Sequence, residues 1–228
     1  MRVPVAWRDW KSFLAQPRLP DRASLDFVGG VRALAPLLAL DLIFMALLIG
    51  SLGAAVALGF EMPDHMLGDM KPTAGMIALI VLAAPLGEEI MFRGWLSGRP
   101  GHVAAILALA AGGAIAALGD GAMLSAAGAI GGVLLAPILL FVFRKRPAMG
   151  WFQRHFRWFF WASVLAFAAV HLGNFADAGP ALLPLVLPQF VLATFLGYLR
   201  VNYGLWSSVL MHMLHNSVFA ALMVAGAS

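Results

Sequence analysis

A chain of 228 residues that is 62% hydrophobic, 11% charged and has a mean hydropathy of +0.89 lies far from soluble domains, where about 25% of residues are charged. The formal charge of +4 and isoelectric point near 10.1 would suit a nucleic-acid binder, but the basic residues follow loop parity and form no continuous patch, which excludes that class. Cysteine is absent, which excludes disulfides and thiolate chemistry.

In chain order, residues 1–30 carry Trp7, Trp10, Phe13, Leu14 and Leu19 among Arg, Lys and Asp. That pattern predicts an amphipathic segment on the cytoplasmic headgroup surface. Residues 31–228 form the transmembrane domain. Spans of roughly 20 apolar residues can be drawn seven times. They run from Val31 to Gly59, Pro72 to Leu96, His102 to Leu118, Ala122 to Phe143, Trp158 to Leu172, Ala181 to Leu199 and Leu205 to Met223. The expected fold is an all-α, polytopic transmembrane bundle. The first span is too long for a cleavable signal and is expected to be retained. The third and fourth are rich in Gly and Ala and read as a scaffold pair packed through small residues. Trp151, Trp158 and Trp161 read as an interfacial belt at the start of the fifth.

Loop charges orient the bundle. Arg2, Arg8, Lys11, Arg18, Arg22, Arg32, Arg99, Arg144, Lys145, Arg146, Arg154, Arg157 and Arg200 fall on one side. Glu61, Asp64, Asp69, Asp120 and Asp177 fall on the other, with Lys71. The N-terminus is therefore expected in the cytoplasm. Arg-rich, Ala- and Gly-rich composition points to a bacterial inner membrane.

Against this apolar background, Glu88-Glu89-Ile90-Met91-Phe92-Arg93 places three charges in about one and a half turns of the second span. Ionisable groups inside a span cost roughly 2.5–3.5 kcal/mol each and are functional-site hypotheses that need named partners. Glu89 and Arg93, four apart, share a face and form the natural ion pair. Glu88 points elsewhere. An unpaired carboxylate held out of water is a stronger base than one in bulk solvent, as activation of a water molecule requires. The same residues also admit a structural reading in which both glutamates share Arg93.

The fifth span offers Phe167 and His171, and the seventh offers His212 and Asn216, each pair on one helix face. Glu88 lies eight residues before Leu96, His212 eight after Gly204, and His171 ten after Trp161, so all three sit roughly 12–15 Å from one interface. If the fifth span begins at Trp158, His171 lies near 20 Å and is reached through tilt or a break at Gly173-Asn174. Asp41, ionisable and central in the first span, is the strongest additional candidate. Asn174 could contribute to a substrate-binding break, and Gln189, beside prolines, could line the same cavity. His65, His102 and His155 read as loop or boundary residues facing water or headgroups. His215 lies near the site without a motif position.

The combination E-E-x-x-x-R (Glu88, Glu89, Arg93), F-x-x-x-H (Phe167, His171) and H-x-x-x-N (His212, Asn216), in this order on separate helices, resembles the CPBP (Abi) family of intramembrane proteases. That family includes CAAX prenyl endopeptidases of the Ras-converting type and bacterial bacteriocin-processing or immunity proteins. Gly87, Gly94 and Gly204-Leu205-Trp206 extend the match, which covers about Pro72 to Phe219. The resemblance implies hydrolysis of a membrane-associated peptide or protein. Glu88 with His171 would activate water, His212 and Asn216 would stabilise the oxyanion, and Glu89 and Arg93 would support the site. Phe167, Asn174 and Gln189 are candidate substrate contacts.

A His₂Glu zinc site of Glu88, His171 and His212 is the alternative chemistry. H-E-x-x-H is absent, and a ligating Glu88 would leave only the already paired Glu89 as base, so a cofactor-free site is expected. A proton-coupled transporter is a competing class, lowered by the lack of an inverted repeat. A non-catalytic peptide-binding or immunity protein is another. The expected partners are a membrane-associated substrate and the lipid bilayer, without nucleic acid. Oligomeric state is not legible.

Overall fold

The structure is a computed structural model that describes residues 4–24, 26–61, 63, 72–175 and 180–226. Arg2, Asp64, His65, Asp69, Lys71 and Asp177 lie outside the described residues. Among those described, the elements named below are all helices. A short α1 (Val5–Ala15) precedes α2 (Phe27–Ala57) and α3 (Ala74–Ser97). Then follow α4 (Pro100–Leu118), α5 (Ala122–Val142), a short α6 (Gly150–Arg154) and α7 (Phe156–Val170). A 3₁₀ turn (His171–Asn174) extends α7, a second (Pro180–Val186) leads into α8 (Leu187–Tyr203), and α9 (Leu205–Gly226) closes the chain. Among the described residues, seven helices are long and apolar enough to cross a membrane, and they coincide within a few residues with the spans read from hydropathy. Large side chains such as Leu47, Leu107, Val133, Phe141 and Leu165 face outward, as a lipid-embedded surface requires.

At the centre is α8, in contact with α2, α7 and α9. Its Leu196 and Leu199 are fully buried, and Gly197 lets the ring of Phe160 approach so closely that an added Cβ would stand 2.7 Å from it. A single residue, Gly204, joins α8 to α9 at φ +101°, a left-handed conformation that L side chains rarely adopt. The α4–α5 pair is packed through glycine, as expected: a Cβ on Gly112 would lie 2.5 Å from the carbonyl oxygen of Gly128.

The amphipathic character of α1 is present, but its apolar side packs on the bundle rather than resting on headgroups alone. Trp7 Nε1 donates to the carbonyl of Pro36 at 2.6 Å, the Trp10 ring lies 4.6 Å from Phe195, and Phe13 meets Phe160 and Tyr198 edge-on.

The irregular helix is α3. Thr73 caps it, accepting from Met76 N at 3.3 Å. A π-turn over Leu79–Ala83 widens it, with Ala84 N donating to the carbonyl of Leu79, before Ala84–Arg93 resumes α geometry. In that wider spacing the next partner, for the carbonyl of Ile80, would be the N–H of residue 85. Residue 85 is Pro and has none.

Candidate active site

The orphaned Ile80 carbonyl is answered from α9. Asn216 Nδ2 donates to it at 2.9 Å, tying α9 to the turn that precedes the two glutamates. The amide nitrogen carries two hydrogens, so one remains for another acceptor.

One turn along, Glu89 is fully buried and accepts from Arg93 Nη1 at 2.8 Å through Oε1. His212 Nδ1 lies 3.0 Å from the same oxygen. A carboxylate only accepts, so Nδ1 of His212 bears hydrogen and Nε2 is turned away from Glu89. Arg93, also fully buried, lays its guanidinium 3.9 Å from the centroid of the Phe167 ring. The expected Glu89–Arg93 pair is thus present and larger than anticipated, a network with His212 as third member. The reading in which both glutamates share Arg93 is not realised: Arg93 is in ion-pair distance of Glu89 alone among the described residues.

Glu88 points to a different group of side chains. Its Oε2 lies 3.9 Å from His171 Nε2 and 3.8 Å from His212 Nε2, and it is buried with no hydrogen-bond partner among the described residues. His171 Nδ1 donates to the carbonyl of Phe167 at 2.7 Å, so its Nε2 is the nitrogen left to face Glu88. Both separations are too long for a direct hydrogen bond and within reach of one bridging water. The three groups come from α3, from the turn after α7 and from α9. The Glu88 side chain is 31% exposed and His171 18%, whereas His212 is 3% exposed, so this cluster is open on one side and anchored on the other.

The backbone around the site is held by two residues that the sequence reading did not assign to it, Ser163 and Arg200. Ser163 Oγ donates to the carbonyl of Phe92 at 2.6 Å. Arg200 donates from Nε to the Arg93 carbonyl at 2.9 Å and from Nη2 to that of Gly94 at 3.2 Å. These carbonyls stand where the α-helical part of α3 gives way to a 3₁₀ turn over Gly94–Ser97. Arg200, expected as a loop cation, is 8% exposed inside α8 and fastens α3 in place. Its position at a hydropathy boundary hid this role.

Phe167 is fully buried, its ring centroid 4.7 Å from His171 and 5.7 Å from His212. Asn174 and Gln189 are half-buried, and the Oε1 of Gln189 is enclosed without a partner among the described residues. His102, read as facing water, is half-buried with Nδ1 2.8 Å from Ser97 Oγ. His155 is exposed and donates to its own helix at Trp151. Asp41 and His215, treated separately, are partners: Nδ1 to Oδ2 is 2.6 Å, with Asp41 fully buried. Two polar residues at matching depth on different spans are the signal that could have paired them.

Ligands about 2.1 Å from a tetrahedral zinc stand roughly 3.4 Å apart, closer than the 3.8 and 3.9 Å here. Among the described residues no group of three or more His, Asp or Glu side chains is arranged to hold a metal ion.

The family model described as "Rce1-like: Type II CAAX prenyl endopeptidase Rce1-like" matches residues 71–218, about two-thirds of the chain and all of the residues gathered above except Asp41. No curated protein and no solved structure matches.

Proposed function

The chain belongs to the Rce1-like family of type II CAAX prenyl endopeptidases, and from that premise we propose how its residues cleave a peptide bond. It is a multi-pass membrane protein and a peptidase, acting on peptide or protein substrates in a membrane. Glu88 takes a proton from the water that bridges it to His171, whose Nε2 lone pair orients that water. The hydroxide adds to the substrate carbonyl, and Glu88, now protonated, returns the proton to the departing amine. The second N–H of Asn216, with His212 Nε2–H when both ring nitrogens carry hydrogen and Glu89 is the counter-ion, receives the developing oxyanion. Glu89 and Arg93 position His212.

The observation that carries this reading is the isolation of Glu88. Its buried Oε2 has no hydrogen-bond partner among the described residues and is faced by two imidazole nitrogens at one water's reach. Glu89, tied to Arg93 and His212, is not free to replace it, which favours Glu88 as base over Glu88 as metal ligand. The substrate is a membrane-associated peptide or protein. Composition and loop charge favour a bacterial inner membrane with the N-terminus in the cytoplasm.

Purified protein reconstituted in liposomes should cleave members of a panel of membrane-tethered peptides, and dialysis against a zinc chelator should leave the rate unchanged. Stoichiometric zinc that is lost together with activity would replace the cofactor-free mechanism. Failure across a broad panel would favour a binding protein that keeps the fold.

A further inference from the structure

A second concentration of charge lies away from the glutamates. A cleft of about 480 Å³ opens at the end of the bundle where α3 gives way to α4, bounded by residues 19–23, 145–148 and the end of α8. Five cationic side chains line it: Arg22, Arg99, Lys145, Arg146 and Arg200. The single carboxylate there, Asp21, accepts from Gln153 Nε2 at 3.3 Å.

The cleft is built rather than incidental. Arg99 reaches across to the loop after α5, donating from Nε to the Arg146 carbonyl at 3.1 Å and from Nη2 to that of Arg144. Met149 N donates to the Gly98 carbonyl at 2.9 Å, so the loop bearing Lys145 and Arg146 is pinned over the cavity from both sides. On the inner wall, Arg200 uses Nε and Nη2 on the α3 carbonyls, which leaves Nη1 without a protein partner among the described residues. The N-terminal turn of α4, whose first N–H groups lack intrahelical acceptors, meets the same space at His102.

Cations held together around a cavity repel one another, and every protein acceptor they use here is a neutral carbonyl. An anion would offset that repulsion. Four guanidinium groups and one ammonium, contributed by separate stretches of the chain, suit a tetrahedral phosphate, which takes forked donors on more than one edge. The exposed rings of Trp151 and Trp158 stand on the elements that follow this loop, the level at which headgroups meet spanning helices. We propose that this cleft binds a phosphate group, carried by an anionic lipid headgroup or by a soluble phosphorylated compound. Its floor is Arg200, so the occupant lies one residue from the backbone that positions Arg93.

The test uses the full chain in detergent, with phosphatidylglycerol, phosphatidylcholine and inorganic phosphate as probes. Retention of each lipid is read by native mass spectrometry, and phosphate is read as a competitor. Lys145→Gln combined with Arg146→Gln removes two exposed charges without touching the carbonyls that Arg99 holds. At roughly 1 kcal/mol per basic residue near a membrane surface, it should weaken phosphatidylglycerol retention tenfold or more. Arg154→Gln combined with Arg157→Gln, equally exposed but outside the cleft, should leave retention within twofold. Preference for phosphatidylglycerol that inorganic phosphate does not displace assigns the site to a lipid; displacement by inorganic phosphate at comparable concentration assigns it to a soluble phosphorylated ligand. Equal retention of the two lipids, or equal losses in the two double variants, would overturn the proposal. The readout is binding, so it stands or falls independently of peptide cleavage.

Discussion

His212 donates from Nδ1 to Oε1 of Glu89 across 3.0 Å, and this bond decides which ring nitrogen the neighbouring Glu88 sees. The two adjacent glutamates therefore divide their tasks by geometry. Glu89 holds a buried cation and orients an imidazole; Glu88 keeps an unpartnered oxygen 3.8 Å from that imidazole's other nitrogen.

Removing one carboxylate or the other should have unequal consequences for stability. Glu89→Leu leaves the Arg93 guanidinium fully buried and unneutralised, a loss of about 3–5 kcal/mol. Glu88→Gln removes no hydrogen bond among the described residues and should leave the unfolding midpoint in detergent within about 2 °C of wild type. Thermal unfolding followed by circular dichroism checks both; equal destabilisation would contradict the division.

Asn216 is given two tasks, and they can be separated. Asn216→Ala strips the Ile80 carbonyl of its donor, at a cost of about 1–3 kcal/mol for an unsatisfied buried acceptor. Pro85→Ala restores an N–H that can reach that carbonyl, so the double variant should recover stability. It should not recover cleavage, which stays down by about 10²–10³-fold if the second amide hydrogen meets the oxyanion. Recovery of both stability and rate would reduce Asn216 to a structural donor.

The α4–α5 pair tolerates no added bulk at its contact. Gly112→Ala drives a Cβ against the backbone of Gly128 and Gly132 and should destabilise by about 1–3 kcal/mol. Gly113→Ala meets nothing within 4 Å and should be neutral or slightly stabilising. Chemical-denaturant midpoints of the two variants, measured side by side in mixed micelles, test this.

The spans, the small-residue pair and the Glu89–Arg93 contact were all legible because each rests on a local rule: hydropathy over a window, or side chains four apart on one helix. Contacts between helices were legible only where spacing coincided with depth. Counting residues from Phe156 puts His171 near 22 Å, yet its ring lies 3.9 Å from Glu88, so depth along a straight axis was a poor guide there. Arg200 was misplaced because a cation at a span end has the composition of a loop, whether it faces water or caps another helix. The Asn216–Ile80 bond was invisible because it depends on a π-turn that brings Pro85 opposite Ile80, and no side-chain pattern announces that turn. The Asp41–His215 pair joins residues 174 positions apart, beyond any local periodicity.

Cleavage of a membrane-tethered peptide by Glu88→Gln, set beside the wild-type rate at matched protein stability, tests the central claim most directly. With Glu88 as the base that activates water, the variant should be slower by about 10²–10⁴-fold while remaining folded. A folded Glu88→Gln protein that cleaves at the wild-type rate would contradict it.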